Sequence, residues 1–430
     1  MSLTGDLTHL IRTKPAGDED LRAAALFVLD TLACAYAARR SPQGEILLDW
    51  YRAEPRDEAR GAFLFGALVH VLEMDDLHRE SVTHPGCVVI PAAWTLARRL
   101  GTDGRGFLNA VLHGYEAMCR VGNAVGKAHY RIWHNTATCG PFGSAFAAAE
   151  LLELSDEQTV WALGNAGTQS SGLWQFLEES AMSKHLHAGR AAESGLLAAG
   201  LAAHGFTGPA KILEGSKGFF AGACPNAEPN RVLADPQAPW QLRLTSIKPW
   251  PSCRHTHPSV EAALDLHGGT ALDDVASLRV ETYQAALDLC DNPAPATEYE
   301  AKFSLQHCAA AALTDGKVTL DSFDAGARRR LASLAASIEV AAVPHYDDAY
   351  PDQWGACLTL TTRAGERLVS ECPVCKGDPE SPVTPEEMRA KATMLLARAG
   401  LTGAREQGLI DDVLALPRGG TLPPIDTLLA

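Results

Sequence analysis

The sequence predicts a mainly α fold: a large all-α helical domain over residues 1–246, completed by C-terminal helices over 396–430, and a smaller α+β domain over 247–395. Three observations predict it. The chain has 430 residues, more than a single hydrophobic core organises well, so two domains are expected. Apolar residues recur at helical spacing through the stretch that ends near Thr245. After Pro249-Trp-Pro251 several short runs alternate with a period of two instead.

Each element has its own signal. Asp18-Glu-Asp stands before Leu21, Ala24, Ala25, Val28 and Leu32, an apolar helical face with acids at its positive end. Ser155-Asp-Glu-Gln158 is a capping box that opens the helix carrying Val160, Trp161 and Leu163. Gly140 to Leu154 and Arg190 to His204 are rich in alanine, which suits helices packed closely on other helices. In the second domain, Leu278 to Tyr283, Ile338 to Val340, Ala356 to Thr361 and Arg367 to Ser370 read as strands, the last two joined by a hairpin at Arg363-Ala-Gly-Glu366. Helical regions fall at Glu298 to Thr314 and Ala325 to Ala335. Thr384-Pro-Glu-Glu387 is a second capping box, with proline at the first helical position.

Composition narrows the function. With 46% hydrophobic and 21% charged residues the chain reads as packed and soluble. A net charge of −15, with 52 acidic against 37 basic residues and no long Lys/Arg run, argues against nucleic acid or an anionic membrane as partner. A local cluster of cations can still hold a small anion. Eleven cysteines, irregularly spaced from Cys34 to Cys375, suit reduced thiols better than a disulfide framework. The first residues lack the apolar core of a signal peptide, and the apolar stretches are broken by Gly, Glu or His, so no membrane span and a cytoplasmic location are expected.

The fingerprints of nicotinamide, P-loop, zincin and serine-hydrolase chemistry are absent. Four other segments gather His, Lys and Asp beside glycine or proline. They are His70-Val-Leu-Glu-Met-Asp-Asp-Leu-His78 with Thr83-His-Pro-Gly86, Trp133-His-Asn-Thr-Ala-Thr-Cys-Gly140, Ser183-Lys-His-Leu-His-Ala-Gly189, and Ile247-Lys-Pro-Trp-Pro-Ser-Cys-Arg-His-Thr-His257. Taken singly each has an ordinary reading. Asp75-Asp76 can end a helix, and His134 can be a hydrogen-bonded structural histidine. The His185/His187 and His255/His257 pairs have metal-like spacing without a further ligand at a recognised distance, so no metal is expected. Cys372-Pro-Val-Cys375 lacks a second such pair and reads as two thiols. Together the segments say more. The run from His134 leads into a helix expected to begin near Gly140, and a helix N-terminus favours a carboxylate. Lys184, Lys248 and the histidines supply cations and bases. That set suits removal of a proton α to a carboxylate.

At these residues the sequence resembles the MmgE/PrpD family. The likeness runs in one order from Asp30-Thr-Leu-Ala-Cys34 through Glu73-Met-Asp-Asp76, the His84, His134 and Lys184 segments, Gly205-Phe-Thr-Gly208, Glu214-Gly-Ser-Lys-Gly-Phe219, the Lys248 segment and Glu300-Ala-Lys-Phe-Ser304 to Lys376-Gly-Asp-Pro379. The resemblance implies a helical domain built from both chain ends, an α+β lid, a substrate cleft between them, a homodimer, no cofactor and a small polycarboxylate substrate. It implies His134, His84, Lys184, Lys248, Asp75 and Asp76 as catalytic, with Glu73, Thr136, His187, His257 and His307 contacting substrate. His134 or His84 would move the proton, the lysines would hold carboxylates and the enolate, and the aspartates would orient a histidine or a substrate hydroxyl. The sequence departs from the family's decarboxylase pattern at Leu77, where that pattern has a hydroxyl, at Glu73, where it has aspartate, in a longer spacer before His84, and at His307, where an aromatic hydroxyl is usual. The expected reaction is dehydration of a 2-methylcitrate-like hydroxy-polycarboxylate. Epimerisation of an iminodisuccinate-like dicarboxylate, cis-aconitate-type decarboxylation and simple polycarboxylate binding are the alternatives.

Overall fold

The computed structural model describes residues 2–55, 57–179, 181–425 and 427–429. The chain divides into two compact units, residues 1–247 with 384–430, and residues 248–383.

The first unit is helical. Its centre is the helix Asn135–Leu151, which packs on Gly86–Leu100, Gly104–Ala124, Asp156–Gly167 and Ser183–Ala203. The alanines and glycines of this helix allow those close approaches: the segment is buried almost throughout. Gly195 shows how close. A Cβ placed there would lie 2.0 Å from Ser144 Oγ and 2.3 Å from the backbone nitrogen of Ala145. Ser144 Oγ in turn donates to the Ala191 carbonyl at 2.6 Å, so a polar bond crosses the same seam.

The helix starts at Asn135, with His134 at the cap, and the expected start near Gly140 is corrected. Glycine and threonine are weak helix formers, but here packing outweighs propensity. Gly140 faces Ala191 and Val88 at distances where a side chain would collide. The Ser155 and Thr384 capping boxes form as expected, and Pro385 opens the helix Pro385–Arg398. That helix packs on Asp18–Ala38. The domain boundary expected at 395 therefore falls at 383/384, because the helix buries Met388, Ala392, Leu395 and Leu396 in the first unit's core.

Asp18–Ala38 also corrects the reading of apolar stretches. Among the described residues it is a helix long and apolar enough to cross a membrane, yet 83% of its most apolar window is buried inside the structure. Its Asp30 pairs with Lys391 there.

The second unit is a four-stranded sheet with helices packed on it. Strand order is Ile338–Ala342, Val275–Thr282, Ala356–Thr362, Arg367–Cys372. The first pair is parallel, with Leu278 opposite Ile338; the others are antiparallel, with Leu278 opposite Leu360 and Leu358 opposite Ser370. Alternate residues of Ala356–Thr362 are buried, as the period of two requires. Leu278, Val280, Leu358 and Leu360 share a core with Ala309, Ala312 and Leu313 from the helix Leu305–Asp315. All four strands expected from the sequence are present, each longer by one or more residues at an end, except that Val275–Thr282 stops one short of Tyr283. The parallel pair explains the helices between the first two strands: parallel neighbours need a long crossover.

Two glycines on one helix test this account. Gly195→Val is expected to lower stability by about 1–3 kcal/mol or more through overpacking. Gly200, which has nothing within 4 Å of a built Cβ, is expected to gain about 0.5–1 kcal/mol on substitution by alanine. Thermal unfolding of both variants measures the contrast; equal shifts would contradict the close approach.

Candidate active site

The acid segment begins where the helix Glu58–Val69 ends. His70 is its C-cap, and the chain then runs irregularly to the short strand Leu77–His78, which pairs with Thr245–Ser246. Glu73 lies in the left-handed region at φ 59°, uncommon for a residue with a Cβ. The segment is buried: His70, Glu73, Asp75, Asp76 and His78 are each at most 2% exposed. Buried charge needs partners, and each acid has them. Lys184 Nζ donates to Glu73 Oε1 at 2.5 Å. His70 Nδ1 donates to Asp75 Oδ2 at 2.6 Å. Asp76 accepts from the Gly86 amide at 2.9 Å and from the Tyr115 hydroxyl at 2.7 Å.

The histidines gather around His70. Its ring is 4.7 Å from that of His84, 5.8 Å from His134 in a stacked arrangement, and 6.5 Å from His185. His84 Nδ1 donates to the Asp76 carbonyl at 2.6 Å and lies 3.5 Å from Asp75 Oδ2. That bond fixes the tautomer: a neutral His84 has its lone pair on Nε2. His134 is held by its own amide, which donates to the Gly172 carbonyl at 3.0 Å, by Trp174 at 4.8 Å, and by a 3.2 Å bond between its Nδ1 and that of His187. His187 faces a cavity of about 770 Å³ that Trp133, Phe176, Leu186 and Arg190 also line.

Charge follows from this burial. Desolvation, then the neighbouring His70, His187, Lys184 and His84, push His134 well below the usual imidazole value. It is a neutral base at physiological pH. Desolvation followed by Asp75 pushes Asp76 well above the usual carboxylate range, against the pull of Tyr115 and Gly86. Asp76 therefore anchors the start of the helix Gly86–Leu100 and the Tyr115 hydroxyl, while Asp75 orients the two histidines.

Of the residues expected from the sequence, His134, His84, Lys184, Glu73, Asp75, Asp76 and His187 come together in the first unit. Thr136 joins them as a strut, accepting from the His84 amide at 3.1 Å. The other three belong to the second unit. Lys248 is buried at its first residue. His257 Nε2 donates to the Ser252 carbonyl at 3.3 Å and its ring sits against Trp250. His307 Nε2 donates to the Ser322 carbonyl at 2.8 Å and its ring packs against Phe323. His70 and His185 join this group as well: His70 opens the same segment as the acids, and His185 follows Lys184, so both lie inside the motifs that the sequence offers.

Among the described residues His70, Asp75 and His84 offer ligand atoms within 4.8 Å of one another. Two ligands on a tetrahedral zinc lie about 3.3 Å apart, whereas His70 Nδ1 and Asp75 Oδ2 are at hydrogen-bond distance, 2.6 Å. As arranged, His70 and Asp75 form a hydrogen-bonded pair, with His84 Nδ1 3.5 Å from the same carboxylate oxygen.

Comparison with known proteins matches residues 6–232 to the MmgE/PrpD N-terminal domain and residues 250–416 to the MmgE/PrpD C-terminal domain. The chain is 27% identical to a cis-aconitate decarboxylase-like protein of Aspergillus oryzae, over 95% of this chain and 93% of that one. It is 26% identical to a cis-aconitate decarboxylase of Aspergillus terreus, over 75% and 74%. With a mitochondrial 2-methylcitrate dehydratase of Yarrowia lipolytica it shares 23%, over 92% and 82%.

The electrostatics give a pH dependence. Burial, then His70 and Lys184, push His187 down to about 4. In the unfolded chain the ring takes up its proton near 6.5, so below that pH the unfolded state binds more protons. The stability this group contributes is full above about 6.5 and falls as pH drops towards about 4. The wild-type melting temperature is expected to fall through this window, and that of His187→Gln to fall less steeply. Parallel curves would mean that His187 titrates as it does in the unfolded chain.

Proposed function

The chain belongs to the MmgE/PrpD family, and from that premise we propose that it is a lyase for a small polycarboxylate, removing a proton α to a carboxylate and expelling a hydroxyl as water. The observation that carries this reading is His134, kept neutral by burial and by the His70, His187, Lys184 and His84 side chains around it, beside an ammonium paired with a glutamate. A substrate carboxylate that takes the place of Glu73 on Lys184 brings its α-carbon to a base already in the right protonation state. Proton abstraction leaves an enolate-like dianion, whose stabilisation is the demanding part of the step. Lys184 supplies charge for it, and Lys248 is assigned to the same task by its sequence motif. His84, protonated at Nε2 while Nδ1 stays on the Asp76 carbonyl, delivers the proton that lets the hydroxyl leave as water. Asp75 and His70 hold that ring in place.

Decarboxylation is the second reading, favoured by the names of the Aspergillus relatives. Dehydration is preferred because Leu77, where the decarboxylase pattern has a hydroxyl, is a buried strand residue, and His307 has its Nε2 committed to a backbone carbonyl.

A panel of citrate-like, malate-like and cis-aconitate-like acids separates the two. Growth of conjugated-alkene absorbance is expected for dehydration and release of carbon dioxide for decarboxylation. His134→Ala and Lys184→Ala are each expected to lower the rate by about 10²–10⁴-fold, the usual worth of a positioned acid or base. Thermal stabilisation by several of these acids with no turnover of any would overturn the proposal in favour of a binding protein.

A further inference from the structure

The acid segment is held from behind by a residue that the sequence places more than three hundred positions away. Lys391, on the helix Pro385–Arg398, donates from Nζ to the carbonyl of Met74 at 2.8 Å. The same ammonium pairs with Asp30 Oδ1, on the helix Asp18–Ala38. Both side chains are buried, 7% exposed for Lys391 and 1% for Asp30. Met74 stands between Glu73, in its left-handed conformation, and Asp75. A non-glycine residue keeps such a conformation only where its surroundings over-determine it. Glu73 is fixed on one side by its carboxylate on Lys184 and on the other by the Met74 carbonyl on Lys391.

We propose that Lys391 is a positioning residue for the acid segment: held by Asp30, it draws the Met74 carbonyl inward and so aims Glu73 at Lys184 and Asp75 at His70. A pair serving only to clamp two helices would need no bond to the loop. A buried ammonium satisfied by one carboxylate and one carbonyl, each from a different element, ties three parts of the unit together at one atom. The inference rests on the reading of this segment as catalytic, and its test is arranged so that the two can fail separately.

Lys391→Met alone leaves Asp30 buried without its ammonium, and is expected to melt well below wild type. Lys391→Met/Asp30→Asn removes both charges, and is expected to recover most of the lost melting temperature while the Met74 bond stays absent. For the acid that wild type turns over, the double variant is expected to lose about 100-fold in kcat, the effect of a small misplacement of catalytic groups, with KM little changed. Hydrogen exchange in peptides covering 70–86, where the amides of His78, Thr83 and Gly86 are bonded, is expected to quicken. Wild-type kcat and wild-type exchange in the double variant would overturn the proposal and leave Lys391 a helix clamp, as would a rise in KM with kcat unchanged. If wild type turns over no acid in the panel, the functional reading fails and the exchange measurement alone decides the latch.

Discussion

Three carboxylates, on Glu73, Asp75 and Asp76, lie buried along one short loop of the helical unit, and matching them is the constraint that organises everything around it. Each takes a different kind of partner: an ammonium for Glu73, an imidazole for Asp75, a backbone amide and a phenol for Asp76. These partners come from four different helices or helix ends, so the loop's conformation and the packing of the bundle depend on each other. A buried ion pair adds little net stability but is costly to break. Such a loop is therefore held in one arrangement more firmly than its irregular backbone alone would allow.

The same burial sets the chemistry. Burial takes His134 and Asp76 out of water, which pushes His134 well below the usual imidazole value and Asp76 well above the usual carboxylate range. The site thus holds a free base and a cation side by side without their being quenched by solvent. Rigid helices carry most of the groups: His134 caps one, Lys184 lies in the first turn of another, and Gly86 opens a third. The loop alone is irregular, and it is the part that needs outside support.

Two sequence departures acquire a physical meaning. Leu77 is paired in a two-residue strand with Ser246 and is 3% exposed, so a hydroxyl lost there is replaced by packing. His307 is locked by Ser304 at its amide and by the Ser322 carbonyl at its ring. Burial depresses its basicity, so an imidazole of lowered pKa stands where an aromatic hydroxyl is usual.

The sequence by itself determined the elements whose signals are local. The Ser155 and Thr384 capping boxes, the alternation of Ala356–Thr362 and the apolar face of Asp18–Ala38 each sit within a few residues, and each formed where it was read. It also determined the chemical inventory, because His134, Lys184 and the acids stand in compact motifs. The tertiary structure decided what depends on contacts distant in the chain. It started the helix at Asn135, because Gly140 is squeezed between Val88 and Ala191. It moved Pro385–Arg398 into the first unit, and with it Lys391. It made His70 the hub of the histidines and gave Asp75 and Asp76 separate tasks. Adjacent residues on an irregular loop point in directions that no period predicts, and only the packed partners fix them.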